Sequence, residues 1–143
     1  ILWLPNGRGS KENMANFSTD NLKLALKSLE ESIRLFNQVD ENSLEAKAFR
    51  DSIIQRFEYC VELSWKTSMK ILGSKTVAAK PAIREMGRSD LVSDLSLWMD
   101  FVEARNNTSH VYNENMAKKV LSIALKLPEE VSKLLERLQT HEV

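Results

Sequence analysis

The sequence predicts an all-α fold, an antiparallel up-and-down bundle of four long helices plus a short one. Three observations predict it. Only four Gly and three Pro punctuate the 143 residues. Apolar residues recur at steps of three and four along most of the chain, the spacing of one face of a helix. No stretch alternates apolar and polar residues convincingly, as a half-buried strand would.

The first helix has N-cap candidates in Ser18, Thr19 and Asp20. Its seam is Leu22, Leu26, Leu29, Ile33 and Phe36, and "VDENS" (39–43) breaks it. The second helix runs from about Leu44 to Leu72, with Gly73 as its stop. It carries two apolar rows: Phe49, Ile53, Phe57 and Cys60, then Ile54, Val61, Trp65, Met69 and Leu72. Two rows exceed what one neighbour needs, so this helix is central or also faces a partner chain. Glu58, Glu62 and Lys66, at steps of four, line its wet face. Pro81 suits the first turn of a short helix ending near Gly87. The fourth helix carries Leu91, Leu95, Trp98 and Val102. The fifth begins near Asn113 and carries Met116, Val120, Ile123, Leu127, Val131, Leu134 and Leu138. Pro128 interrupts it without breaking the apolar phase, which predicts a kink or a closely stacked pair of helices.

Residues 1–17 lack periodicity, with Pro5, Gly7 and Gly9 soon after a four-residue apolar start. They read as an N-terminal extension outside the fold and not as a signal peptide. Residues 18–140 read as a single domain.

Composition narrows the function. Twenty basic residues balance twenty acidic ones, so no whole-molecule field steers the protein to nucleic acid or anionic membrane, and phosphate binding must be local. A single cysteine, Cys60, excludes an internal disulfide and reads as a small core residue. No apolar run approaches the ~18 residues that a membrane span requires, and the chain reads as cytoplasmic. A local excess of Lys66, Lys70, Lys75, Lys80, Arg84 and Arg88 over Glu85 is either a solvated face or a contact for a phosphate backbone or acidic partner.

The stretch "EARNNTSHVYNE" (103–114) stands apart. The fourth-helix stripe advances 91, 95, 98, 102, and its next step lands on Arg105. A guanidinium directed at the packed face needs an anionic partner or a cleft. Glu103 and Asp100 are partners in the plain structural reading, with the Arg stem snorkelling at the core edge. His110 lies ~140° round an ideal helix from Arg105, whereas Tyr112 falls on the Arg face. "NNTS" is a run of poor helix formers that bond their own backbone. A bend there, or a second copy across a two-fold axis, would bring His110 to Arg105. No carboxylate cluster or His pair has metal-ligand spacing, so a reaction without metal or cofactor is favoured. Cleavage of RNA through its own 2′-hydroxyl needs only a proton-transferring His and a charge-stabilising Arg.

"RNNTSHVY" resembles the Arg-x4-His-x-Tyr motif of the HEPN superfamily (higher eukaryotes and prokaryotes nucleotide-binding domain). Together with "QRFEYCVELSWKTSMK" (55–70) and "WMDFVEARNNTSHVYNE", it is similar to the branch of nucleotidyltransferase substrate-binding proteins, over roughly residues 20–138. The resemblance implies a bundle that forms a homodimer, with the motif in a cleft between protomers, and a minimal nucleotidyltransferase partner encoded nearby. It implies a metal-independent ribonuclease of toxin–antitoxin type, acting on RNA, with Arg105 and His110 as the catalytic pair and Asn106 as the supporting polar residue. Tyr112 matches the tyrosine that the partner modifies with AMP, silencing the toxin. Two further readings are a non-catalytic subunit presenting a nucleotide or substrate to the transferase, and an assembly adaptor whose motif only packs. Nucleotidyl transfer itself does not reside here: neither Gly9-Ser10 nor Gly73-Ser74 is followed by the paired acidic residues that would hold magnesium.

Overall fold

The computed structural model describes residues 7–110 and 113–141, with side chains from Thr19 onward. Six α-helices and one 3₁₀ turn make up the described chain: α1 (Gly7–Phe36), α2 (Leu44–Leu72), α3 (Ala79–Arg88), α4 (Leu95–Asn106), the turn Asn107–His110, α5 (Glu114–Ala124) and α6 (Leu127–His141). There is no strand among the described residues. This is the predicted all-helical bundle.

α2 is the central element and packs against each of the other five helices. Both of its predicted rows supply the core: Ile53, Phe57 and Cys60 from one, and Ile54, Val61, Trp65 and Met69 from the other. Its ends are closed locally. Ser43 Oγ accepts from the Ala46 amide at 3.1 Å, which satisfies one orphan donor of the first turn. Gly73 adopts a left-handed conformation (φ 68°), and the Gly73 and Ser74 amides donate to the Lys70 and Met69 carbonyls. Cys60 is fully buried, and burial pushes its thiol up to about 12. It is an inert core side chain.

Two boundaries differ from the sequence reading. Ser18, Thr19 and Asp20 lie inside α1, which begins at Gly7; helix-favouring residues such as Lys11, Glu12, Met14 and Ala15 precede them. Leu91 precedes α4, because Asp94 caps that helix through the Leu97 amide at 3.0 Å. Leu91 is nevertheless buried, whereas Leu95 is exposed. The packed face of α4 is Trp98, Phe101, Val102 and Ala104.

The Pro128 interruption resolves as a break at Leu125–Lys126 between α5 and α6. Pro128 is the second residue of α6, where its missing amide costs no hydrogen bond. Val120, Ala124, Leu127, Val131, Leu134 and Leu138 remain buried across the break.

Candidate functional site

Arg105 sits in the last turn of α4. The local sequence explains why the helix stops there. Thr108 Oγ1 donates to the Arg105 carbonyl at 2.8 Å, competing with the amide that would continue the α-helix. The backbone tightens into the 3₁₀ turn Asn107–His110, and the Asn113 amide then donates to the His110 carbonyl at 3.2 Å. The bend expected at "NNTS" is therefore present as a change of helical winding.

The side chain of Arg105 is 31% exposed and lies between two carboxylates of α2. Its Nη2 is 3.4 Å from Glu58 Oε1, and its Nε is 3.2 Å from Glu62 Oε1. The Nε contact is a close charge approach without hydrogen-bond alignment, because the buried Nε lacks a properly aimed acceptor. The other oxygen of Glu62, Oε2, is 3.3 Å from Lys66 Nζ, and that ammonium also lies 5.6 Å from the Trp65 ring centroid. The chain Glu58–Arg105–Glu62–Lys66 thus balances two cations with two anions. At this exposure each pair contributes only about 0–1 kcal/mol to stability. The two carboxylates approach the guanidinium along its Nε and Nη2 edge.

Arg105, Glu58 and Glu62 line one end of a groove of about 620 Å³ between α1 and α2. Asn21, Leu24, Ala25 and Ser28 form one wall, and Gln55, Arg56 and Tyr59 the other. Arg56 is tied back to the Ser28 carbonyl at 3.0 Å and to the Ser32 hydroxyl. Leu24 and Tyr59 are 65% and 60% exposed, so the rim of the groove is apolar and aromatic.

The structure treats the sequence candidates unequally. Arg105 enters the groove, but its partners are Glu58 and Glu62 rather than Glu103 or Asp100. Glu103 pairs with Lys80 across the α3–α4 contact. Asn106 is exposed at the end of α4. His110 is exposed on the 3₁₀ turn and does not line the groove. Tyr112 lies outside the described residues. The basic stretch divides. Lys66, Lys70 and Lys75 border a second groove of about 430 Å³ with Trp65, Ser74 and Thr76, whereas Arg84 and Arg88 are on α3 and outside it. Sequence reasoning missed the role of Glu58 and Glu62. An acidic pair one turn apart on the central helix, with an unpaired Arg on the packed face of another, was the signal that could have found it.

The family described as nucleotidyltransferase substrate binding protein like matches residues 17–140. The chain belongs to this family. The resemblance read from "RNNTSHVY" and the second-helix string, to the nucleotidyltransferase substrate-binding branch of HEPN proteins, is borne out. The chain is 29% identical to a Haemophilus influenzae protein named probable ribonuclease HepT, over 85% of this chain and 94% of that protein. It is similar to a solved Haemophilus influenzae structure described as the fold of a substrate binding domain of a nucleotidyltransferase. That match has a TM-score of 0.72 and 27% identity, covering 85% of this chain and 98% of that one. A crystal structure from Thermus thermophilus matches with a TM-score of 0.70 and 29% identity, over 82% and 98% of the two chains. No helix among the described residues is long and apolar enough to cross a membrane.

Proposed function

We propose that this protein is the HEPN-type partner subunit of a minimal nucleotidyltransferase and acts as a metal-independent endoribonuclease. The observation that carries the reading is Arg105, which lines a groove at the end of α4, just ahead of the turn bearing His110. A forked permanent cation suits phosphate oxygens, and an imidazole is a side chain able to give and take protons. In the reaction, the 2′-oxygen of RNA forms a bond to phosphorus as the bond to the 5′-oxygen breaks. The proton of the 2′-hydroxyl leaves to a base, and the departing 5′-oxygen gains one. Arg105 stabilises the charge that builds on the non-bridging oxygens. DNA, lacking the 2′-hydroxyl, is not a substrate.

Because His110 lies outside the groove of its own chain, we infer a homodimer that joins the Arg105 of one protomer to the His110 of the other. The exposed Leu24 and Tyr59 beside Arg105 support a face of this kind. The nucleotidyltransferase restrains the enzyme by attaching AMP to Tyr112, placing bulk and negative charge next to a phosphate site. Purified protein in excess EDTA should cleave RNA, and His110→Ala should abolish cleavage with melting unchanged. Incubation with the transferase and ATP should add the mass of AMP, and Tyr112→Phe should prevent it.

One observation favours a second reading, a non-catalytic subunit that presents a nucleotide or substrate to the transferase. Glu58 and Glu62 offset the charge of Arg105, which weakens its pull on a polyanion more than on a small ligand. That reading predicts ligand affinity lost in Arg105→Ala with no RNA turnover in the wild type.

A further inference from the structure

The inference rests on the reading of Arg105 as a phosphate-binding group and adds a residue to it. We propose that Glu62 is a positioning residue for that site, clamping the guanidinium of Arg105 at the groove that it lines. Three observations converge. First, Glu62 approaches the Nε of Arg105 at 3.2 Å while Glu58 approaches Nη2 at 3.4 Å, so the two carboxylates meet adjoining donors on one edge of the guanidinium. Second, Glu62 is itself held. Its second oxygen engages Lys66 at 3.3 Å, and its side chain is only 27% exposed in the interior of a 29-residue helix. A carboxylate meant to swing aside for an incoming phosphate would be looser and wetter than this. Third, the two helices carrying the groups are fixed against each other nearby. Phe57 of α2 and Phe101 of α4, both fully buried, meet edge to face; Glu58 adjoins the first in sequence, and Arg105 lies one turn beyond the second. The clamp is therefore built on rigid elements, as a group that must hold a phosphate oxygen at fixed distance requires.

The charge of the clamp decides the sign of the test. As a positioning group, Glu62 aids phosphate binding despite its negative charge. As a restraint, it would oppose binding, and removing it would strengthen the site. Glu62→Gln retains the shape and one acceptor oxygen but removes the charge. Glu103→Gln, which breaks only the Lys80 pair, is the control.

The measurements are nitrogen-15 NMR of the Arg105 Nε–H, affinity for an uncleavable 2′-O-methylated RNA oligonucleotide, and cleavage of the unmodified RNA across pH. In Glu62→Gln, the Arg105 Nε–H should lose order in nitrogen-15 relaxation, because the guanidinium is no longer held by charge. Affinity and turnover should fall about tenfold or more, with melting and the shape of the pH profile kept, because Glu62 transfers no proton. Glu103→Gln should match the wild type throughout. Affinity and turnover unchanged or raised in Glu62→Gln would overturn the proposal, as would a pH profile that loses a limb. Wild type that binds the methylated RNA through Arg105 but leaves unmodified RNA uncut would sink the ribonuclease reading. The Glu62→Gln affinity would then decide the clamp. Wild type that binds neither RNA would overturn both.

Discussion

Phe57 and Phe101 meet edge to face with ring centroids 6.3 Å apart and planes inclined at 72°, and this contact registers α2 against α4 beside the Glu58–Arg105–Glu62 cluster. Trp98 continues the stack, with its ring centroid 5.1 Å from that of Phe101. Structural and functional residues thus share the same two helices: the buried faces set the helix crossing, and the charged groups just outside inherit their positions from it.

Phe101→Ala should be among the most destabilising single changes in the chain. The side chain is fully buried between two aromatic neighbours, and emptying such a site costs about 3–5 kcal/mol. Denaturant titration checks this. Phe101→Leu should cost less and separate loss of packing from loss of function.

Gly73→Ala isolates backbone strain. Gly73 has φ 68°, and an added Cβ would meet nothing within 4 Å. The expected loss of about 1–2 kcal/mol therefore comes from the left-handed conformation alone. Equal stability of the two proteins on thermal unfolding would contradict it.

Glu114 opens α5 just beyond the motif and accepts from Arg50 Nη1 at 2.9 Å, joining α5 to α2. The hydrogen bond from Arg50, together with its charge, holds the Glu114 carboxyl below the usual carboxylate range. A depressed folded-state value means that the contribution is present above the unfolded value of ~4.3 and is lost as pH falls through the folded one. Glu114→Gln should therefore lower the melting temperature at pH 7, with the gap to wild type closing as pH drops below about 4. A gap independent of pH would assign the effect to packing.

Cys60 should resist alkylation in the native protein. Its thiol is buried and pushed up to about 12, leaving almost no thiolate at a working pH of about 8. Labelling with iodoacetamide should follow global unfolding, and rapid labelling of folded protein would contradict the placement.

The core was legible because burial follows helical period. The rows of α2 and the phase carried through Pro128 needed no knowledge of the neighbours. Leu95 misled because the packed stripe was extended across a helix start that Asp94 sets locally. The site was legible only in part. Arg105 stood out as a charge on an apolar stripe, but its partners lie on another helix, where the spacing of Glu58, Glu62 and Lys66 reads equally well as a solvated ladder. Only the α2–α4 crossing distinguishes the two. The position of His110 depends on a 3₁₀ turn held by the Thr108 hydroxyl, an event that residue spacing does not encode.

The most direct test of the proposed function is RNA cleavage by the purified chain in excess EDTA, wild type beside His110→Ala. Wild type should release fragments with 2′,3′-cyclic phosphate ends and leave DNA of the same sequence intact, and His110→Ala should release none at an unchanged melting temperature. Equal activity of the two proteins, or equal inertness across varied RNAs, would contradict the ribonuclease account.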